Sequence, residues 1–200
     1  MKTNTIELLK NRRSIYHLGK NVSLENSEIT KLVKEVVKES PSSFNAQTSR
    51  VVVLFNDQHL KVWEIVEENL RKVVPTEEAF QATQEKINSF RAGYGTILFY
   101  EDEEVVRGLQ ENFALYADNF PIWSEQSSGI ASVNVWTALA ENEIGASLQH
   151  YNPLIDSDVA NEWNLPSTWK LRAQMPFGSI ETPAEGKAYM DDEERFRIFE

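Results

Sequence analysis

The sequence predicts one domain that mixes helices and strands around a shared core, and three observations carry that expectation. An amphipathic helix over 27–39 repeats Ile29, Leu32, Val33, Val36 and Val37 at a 3.6-residue period. Three strand patterns follow at wide spacing: the continuous apolar run 50–55, the run 94–100 and the alternating run 170–175. No composition break, repeat or linker divides the 200 residues, so 1–200 reads as a single domain, and a 41% hydrophobic content is enough for a substantial core.

Taken in order, residues 3–12 read as a helix with Ile6, Leu8 and Leu9 as its apolar positions, and Arg12-Arg13-Ser14 falls at or just beyond its end. Adjacent arginines point apart on a helix, so they converge on one anion only if the chain turns there. A solvated basic helix end accounts for them equally on this stretch alone. Residues 16–19 form an extended link, and the 27–39 helix is capped by Asn26 or Ser27. Pro41 ends that helix. The stretch Pro41-Ser42-Ser43-Phe44-Asn45-Ala46-Gln47-Thr48-Ser49 then crowds hydroxyls and amides between helix and strand, which suits either an ordinary loop or a ligand contact.

The apolar run 50–55 lacks alternation and is expected to be a central strand covered on both faces, with Asn56-Asp57 as the turn after it. Helices are predicted over 58–70, through Leu60, Trp63, Val66 and Leu70, and over 76–89, anchored by Phe80 and Ile87. Asp102-Glu103-Glu104 reads as an acidic helix start. The aromatic-rich stretch 103–123, broken by Pro121, suits core packing or the covering of a planar ligand or subunit partner. A long helix over 124–142 follows, then a short buried strand or turn at 145–148 and a helix over 154–161. In 170–175, Leu171, Ala173 and Met175 alternate with Lys170, Arg172 and Gln174. Phe177-Gly178, Pro183 and Gly186 mark a turn-rich segment, and Arg195 to Phe199 alternates like an edge or exchanged strand.

Composition narrows the function. The chain has no cysteine, which removes disulfides, thiolate metal sites and cysteine nucleophiles and fits a reducing compartment. The first residues lack the apolar run of a signal peptide, and no stretch of about 20 apolar residues is present, so a cytoplasmic location with no membrane partner is expected. A formal net charge of -11 argues against nucleic acid, because phosphate backbones are held mainly by clustered Lys and Arg. An anion must therefore be held at a local exception, of which Arg12-Arg13 is the clearest.

Several stretches together resemble the flavin-dependent nitroreductase family: Arg12-Arg13-Ser14, Pro41 to Gln47, and the late Lys187 and Arg195. The run Gly145-Ala146-Ser147-Leu148-Gln149-His150-Tyr151-Asn152-Pro153, with the shortness of the chain, looks most like the compact branch named for the yeast fatty-acid repression mutant nitroreductase and its bacterial copper-induced relatives. The resemblance implies an α+β fold, a mixed and mainly antiparallel sheet sandwiched by helices, in an intertwined homodimer with FMN at each of two interface sites. It assigns Arg12, Arg13, Ser14, Lys187 and Arg195 to the FMN phosphate, with Arg12 and Arg13 as alternatives for the side chain that faces it. Asn45 and Gln47 become the amide pair near the flavin and ribityl chain, Ser43 and Phe44 line the ring or the site mouth, and Ala146, Ser147 and Leu148 pass the ring. Phe120 and Trp123 become an aromatic cover donated across the dimer.

The implied activity is two-step ping-pong transfer of reducing equivalents from NADH or NADPH to nitroaromatic or quinone acceptors. The chemistry belongs to FMN, so no catalytic side chain and no metal is expected. Larger nitroreductases carry a glycine-rich segment with a glutamate where this chain has Ala146-Ser147-Leu148-Gln149-His150, so no nicotinamide preference is carried over. A flavin-binding regulatory or structural dimer with weak turnover is the alternative function.

Overall fold

A computed structural model describes residues 2–200. The chain forms α1 (Asn4–Asn11), β1 (Leu18–Gly19), α2 (Asn26–Glu39), a 3-10 turn at Ser43–Asn45, β2 (Ser49–Phe55), α3 (Asn56–Val73) and α4 (Glu77–Arg91). After these come β3 (Gly95–Asp102), α5 (Glu103–Asn112), a second 3-10 turn at Ala114–Tyr116, α6 (Phe120–Glu141), β4 (Gly145–Ala146), α7 (Asp156–Glu162), β5 (Trp169–Ile180) and α8 (Asp192–Arg195).

One antiparallel sheet runs β1-β5-β3-β2, with β4 paired to β5. β3 is buried along its whole length, and its successive side chains enter two cores. Ile97 and Phe99 meet Ile29 and Val33 of α2 and Val135 and Leu139 of α6. Leu98 and Tyr100 meet Trp63 and Val66 of α3, Phe90 of α4 and Val159 of α7. Helices therefore cover both faces of the sheet, the α+β arrangement expected. Each such large side chain contributes about 1.5–3 kcal/mol on burial, so the two faces together fix the helices onto the strands.

Several expectations need correction. β2 is an edge of this sheet, not a central strand. Val51 and Val53 pack on one core and Val52 and Leu54 on the other, so the unbroken apolar run records two covered faces. It does not record how many strands lie alongside. Asn56 does not end a turn: it adopts φ 50° and starts α3 directly, a conformation that asparagine tolerates. The start of α2 is capped by Glu25, whose N–H donates to Glu28 Oε2 at 2.9 Å, rather than by Asn26 or Ser27.

α6 begins at Phe120, earlier than expected, because Pro121 sits in its first turn, where a missing N–H costs nothing. α7, by contrast, starts at Asp156, two residues after the expected boundary. Gly178 lies inside β5 rather than in a turn, and a Cβ there would fall 2.2 Å from the Gly19 carbonyl. The glycine serves the close approach of β1. Finally, residues 196–200 form no strand and are exposed. Alternation makes a strand only where an unpaired edge is within reach, and among the described residues the tail pairs with none.

Candidate cofactor and acceptor site

A basic pocket of about 550 Å³ lies where the two ends of the chain meet. α1 stops at Arg12, whose extended backbone (φ -70°, ψ 108°) turns the two arginines apart. The strand-like segment that follows is fastened to β4: Ser14 bridges Ala146, and the Ile15 N–H donates to the Ala146 carbonyl at 2.9 Å. Arg12 turns inward, its guanidinium 4.4 Å from the Trp136 ring centre. Arg13 turns outward and donates to the Glu185 carbonyl at 2.7 Å. Ser14, His17, Thr182, Glu185 and Lys187 add to the polar lining, in which the cations outnumber the one carboxylate.

Burial, and then the neighbouring Arg13 charge, hold the Arg12 guanidinium below its ordinary pKa. Both causes act against a positive charge, and an entering anion relieves both. Arg12 Nε is also buried without a hydrogen-bond partner among the described residues. A phosphate dianion fits this donor set, since it accepts from several charged N–H groups and a hydroxyl at once.

The junction after α2 forms a second region. Phe44, Asn45 and Gln47 have φ of 59°, 51° and 50°, three left-handed residues in a span of four. That geometry costs free energy in a non-glycine chain and persists because the loop is tied on itself. The Asn45 N–H donates to the Ser42 carbonyl at 3.0 Å, the Gln47 N–H to Ser42 Oγ at 2.9 Å, and Arg50 Nη1 to the Gln47 carbonyl at 2.6 Å. Arg50 is held in turn by Asp102 at 3.0 Å. Gln47 lines a groove of about 400 Å³ that also touches Ser127 and Ala131 of α6.

The strained Phe44 lifts its ring onto an aromatic wall. Its centroid lies 5.0 Å from Phe113, 5.4 Å from Phe120, 6.0 Å from Tyr116 and 6.1 Å from Trp123, the last at an interplanar angle of 23°. Half of Phe44 remains open to solvent. Behind the wall a narrow crevice is lined by Ser43, Thr48, Phe120, Trp123 and Ser124.

Ala146 and Ser147 are buried against β5, and Ser147 Oγ accepts from Gln149 Nε2 at 3.0 Å. Leu148 reaches a separate cleft of about 290 Å³ with His150, Asn152 and Arg172. Arg172 occupies the place where the β3/β5 register slips, opposite Phe99 and Tyr100, and it pairs with Glu125 of α6.

The structure thus brings Arg12, Arg13, Ser14 and Lys187 together and joins them to Ala146 through the Ser14 bridge. It also brings Ser43, Phe44, Phe120 and Trp123 together. It does not join these two groups within one chain, and Asn45 and Gln47 remain with the second. Arg195 stands apart from the basic pocket, beside Phe196 at the exposed end of α8. Sequence reasoning missed Trp136 beneath Arg12, the Glu185 carbonyl, and the wall residues Phe113 and Tyr116 as partners of Phe44. No local pattern marks them, because each is defined by a neighbour distant in sequence.

The model of the Nitroreductase family matches residues 9–179. The chain belongs to the nitroreductase family. A curated relative, nitroreductase FRM2 of Saccharomyces cerevisiae, is 30% identical over 194 residues, covering 94% of each chain. Among solved structures, nitroreductase CinD from Lactococcus lactis in complex with nicotinic acid superposes with a TM-score of 0.91 at 55% identity, over 98% of this chain and all of that one. CinD has also been solved with chloramphenicol and with 4-nitrophenol, at TM-scores of 0.91 and 0.90 and 54% identity in both. A nitroreductase structure from Desulfovibrio desulfuricans in complex with FMN shares the fold at 17% identity, with a TM-score of 0.72 and coverage of 100% and 98%. Membership of the family makes the chain a flavin-dependent oxidoreductase. Among the described residues, no helix is long and apolar enough to cross a membrane, and no group of His, Asp or Glu is placed to hold a metal ion.

Proposed function

We propose that the chain is a homodimeric, FMN-dependent oxidoreductase that takes reducing equivalents from NADH or NADPH and delivers them to flat nitroaromatic or quinone acceptors. The observation that carries this reading is the basic pocket: in a chain of net charge -11, Arg12, Arg13, Ser14 and Lys187 come from both ends of the sequence to line one pocket. FMN held by these residues would supply the two-electron redox chemistry between nicotinamide and acceptor, in the two-step ping-pong order that the family resemblance implies.

The chain's own groups do the rest. Arg12 and Lys187 hold the phosphate by charge, and Ser14 adds a neutral donor. Trp136 fixes the Arg12 guanidinium in place, so little ordering is needed on binding. Ala146, Ser147 and Leu148 are assigned to the passage of the ring, the first two buried beside the Ser14 bridge and Leu148 opening to the adjoining cleft, while Asn45 and Gln47 supply amides and Phe44, Phe120 and Trp123 present faces to a planar acceptor. The nicotinic acid, chloramphenicol and 4-nitrophenol complexes of CinD support this assignment of ligand classes, and the Desulfovibrio complex supports FMN.

The basic pocket and the amide-bearing junction lie in separate pockets of one chain, which favours a site completed by a partner subunit. Exposed Phe196, Ile198 and Phe199 give the tail an apolar edge to exchange, and the same exchange would carry Arg195 toward the partner's phosphate site. A single domain and a cytoplasmic location complete the proposal, the second in keeping with a chain that has no cysteine.

The test is anaerobic addition of NADH or NADPH to the FMN-loaded protein. Loss of the oxidised-flavin absorbance, and its return on adding a nitroaromatic or quinone, is expected. A flavin that neither donor bleaches would overturn the enzyme reading in favour of a regulatory or structural flavoprotein. A particle with the mass of one chain in light scattering would contradict the dimer.

A further inference from the structure

We propose that Glu101 is a positioning residue that sets the spacing of the aromatic wall and thereby the affinity for planar acceptors. Glu101 lies near the end of β3 on the side facing α6, and only 1% of it is exposed. It forms no ion pair among the described residues, and both carboxylate oxygens are taken by hydroxyls. Ser49 Oγ donates to Oε1 at 2.5 Å and Ser124 Oγ donates to Oε2 at 2.7 Å. An apolar side chain would fill this position without the desolvation cost of a buried carboxylate, so the residue type calls for a role beyond packing.

The two donors identify that role. Ser49 is the first residue of β2, directly after the strained loop that holds Phe44, Asn45 and Gln47. Ser124 is in the first turns of α6, one residue after Trp123 and four after Phe120. One carboxylate therefore joins the strand that anchors the Phe44 loop to the helix that carries the facing rings. Thr48 and Ser124 both line the crevice behind those rings, and Thr48 Oγ1 is buried there with no hydrogen-bond partner among the described residues, so the Glu101 tether is a polar link across the gap. Without Glu101, the buried Ser124 hydroxyl and the half-buried Ser49 hydroxyl lose their acceptor, and the helix start is free to shift against the loop. Ring stacking depends on centroid separations of about 4.5–7 Å, so a shift of about an ångström changes how a flat molecule fits.

The proposal rests on the reading of Phe44, Phe120 and Trp123 as acceptor-facing, and the experiment separates the two. Glu101→Ala, Glu101→Gln and Ser124→Ala are compared with the wild type in FMN-loaded protein. KM and kcat are measured for a nitroaromatic acceptor, the donor half-reaction is followed by flavin bleaching, and 4-nitrophenol binding is measured by calorimetry. Glu101→Ala is expected to raise the acceptor KM and the 4-nitrophenol Kd about tenfold, with the bleaching rate within about twofold of wild type. Glu101→Gln, whose amide accepts from one serine and donates to the other, is expected to restore both to within about threefold. Ser124→Ala keeps the carboxylate and removes one tether, so it should raise them about threefold even if Glu101→Ala fails to fold.

An unchanged acceptor KM in Glu101→Ala or Ser124→Ala overturns the proposal. So does an equal loss in both half-reactions, or a Gln variant as impaired as the Ala variant. Absence of bleaching in the wild type instead sinks the functional reading, and the calorimetric comparison of the variants still decides whether Glu101 sets the wall.

Discussion

Arg13 and the Glu185 carbonyl meet across 172 residues of sequence, while Phe113, Tyr116, Phe120 and Trp123 reach the aromatic wall from one short stretch. The basic pocket is open and charged, and it depends on the ends of the chain being held together. The wall is local and apolar, and a strained loop and a buried carboxylate hold it in place. Under the proposed function, the difference separates two tasks. Holding a phosphate requires charges that converge, which any fold with adjacent termini can supply, whereas selecting a flat acceptor requires fixed ring spacing, which needs rigid backing.

The largest expected effect lies in the basic pocket. Removing both Arg12 and Lys187 as alanines costs two charged hydrogen bonds to phosphate, about 4 kcal/mol, or a roughly thousandfold rise in FMN Kd. Flavin fluorescence titration measures it, and an unchanged circular dichroism spectrum shows that the fold survives. If acceptor binding to the wall falls equally, the two regions are not separable.

A comparable effect should spare the distinction altogether. His59 is buried on the face of the sheet away from α6, with Nδ1 2.8 Å from Thr96 Oγ1 and Nε2 3.2 Å from the Arg91 carbonyl. Trp63 Nε1 donates to the same Thr96 hydroxyl at 2.9 Å, which leaves that hydroxyl's proton for Nδ1 and places the imidazole proton on Nε2. Burial lowers the His59 pKa to about 4. The unfolded chain, with a pKa near 6.5, binds the proton first, so stability is full above about pH 6.5 and falls as pH drops toward 4. The loss reaches about 3 kcal/mol. Denaturant midpoints at pH 7 and pH 4 should differ less in His59→Gln than in wild type, and an unchanged difference would remove His59 as the cause.

Phe44→Ala is expected to cost the wall about 1 kcal/mol, a roughly fivefold rise in acceptor KM, with FMN Kd unaltered. A rise in FMN Kd instead would show that the ring faces the cofactor, and the contrast between the regions would have to be redrawn. The smallest effect is expected from Arg195→Ala, a few-fold weakening of FMN in the dimer, because its side chain lies away from the basic pocket of its own chain. A chain truncated after Glu194 that binds FMN as tightly as wild type would remove the tail from the site.

Much of the fold was legible. The 3.6-residue period of α2 and the two-residue alternation of β5 report buried faces directly, because periodicity is a property of the local backbone. The apolar run of β2 was legible as a strand but not as an edge, since its two covered faces say nothing about its neighbours. Pro121 looked like a break and proved to be a helix start, a distinction set by which carbonyls precede it. At the site, Arg12, Arg13 and Lys187 were legible as candidates because cations are conspicuous in an acidic chain. Trp136 under Arg12 and Glu101 under the wall were not, since an indole and a glutamate gain their roles only from their neighbours.

By itself the sequence determined most of the helices and strands, the two-faced core and the chemical type of the proposed anion site, because these follow from residue type and spacing along one chain. Tertiary structure alone decided that Arg12 turns inward while Arg13 turns outward, that Phe44 is held in a left-handed conformation against α6, and that a buried Glu101 ties that helix to the junction. Each of these depends on a distance between segments far apart in sequence, and such distances are fixed only when the sheet and its helices have packed.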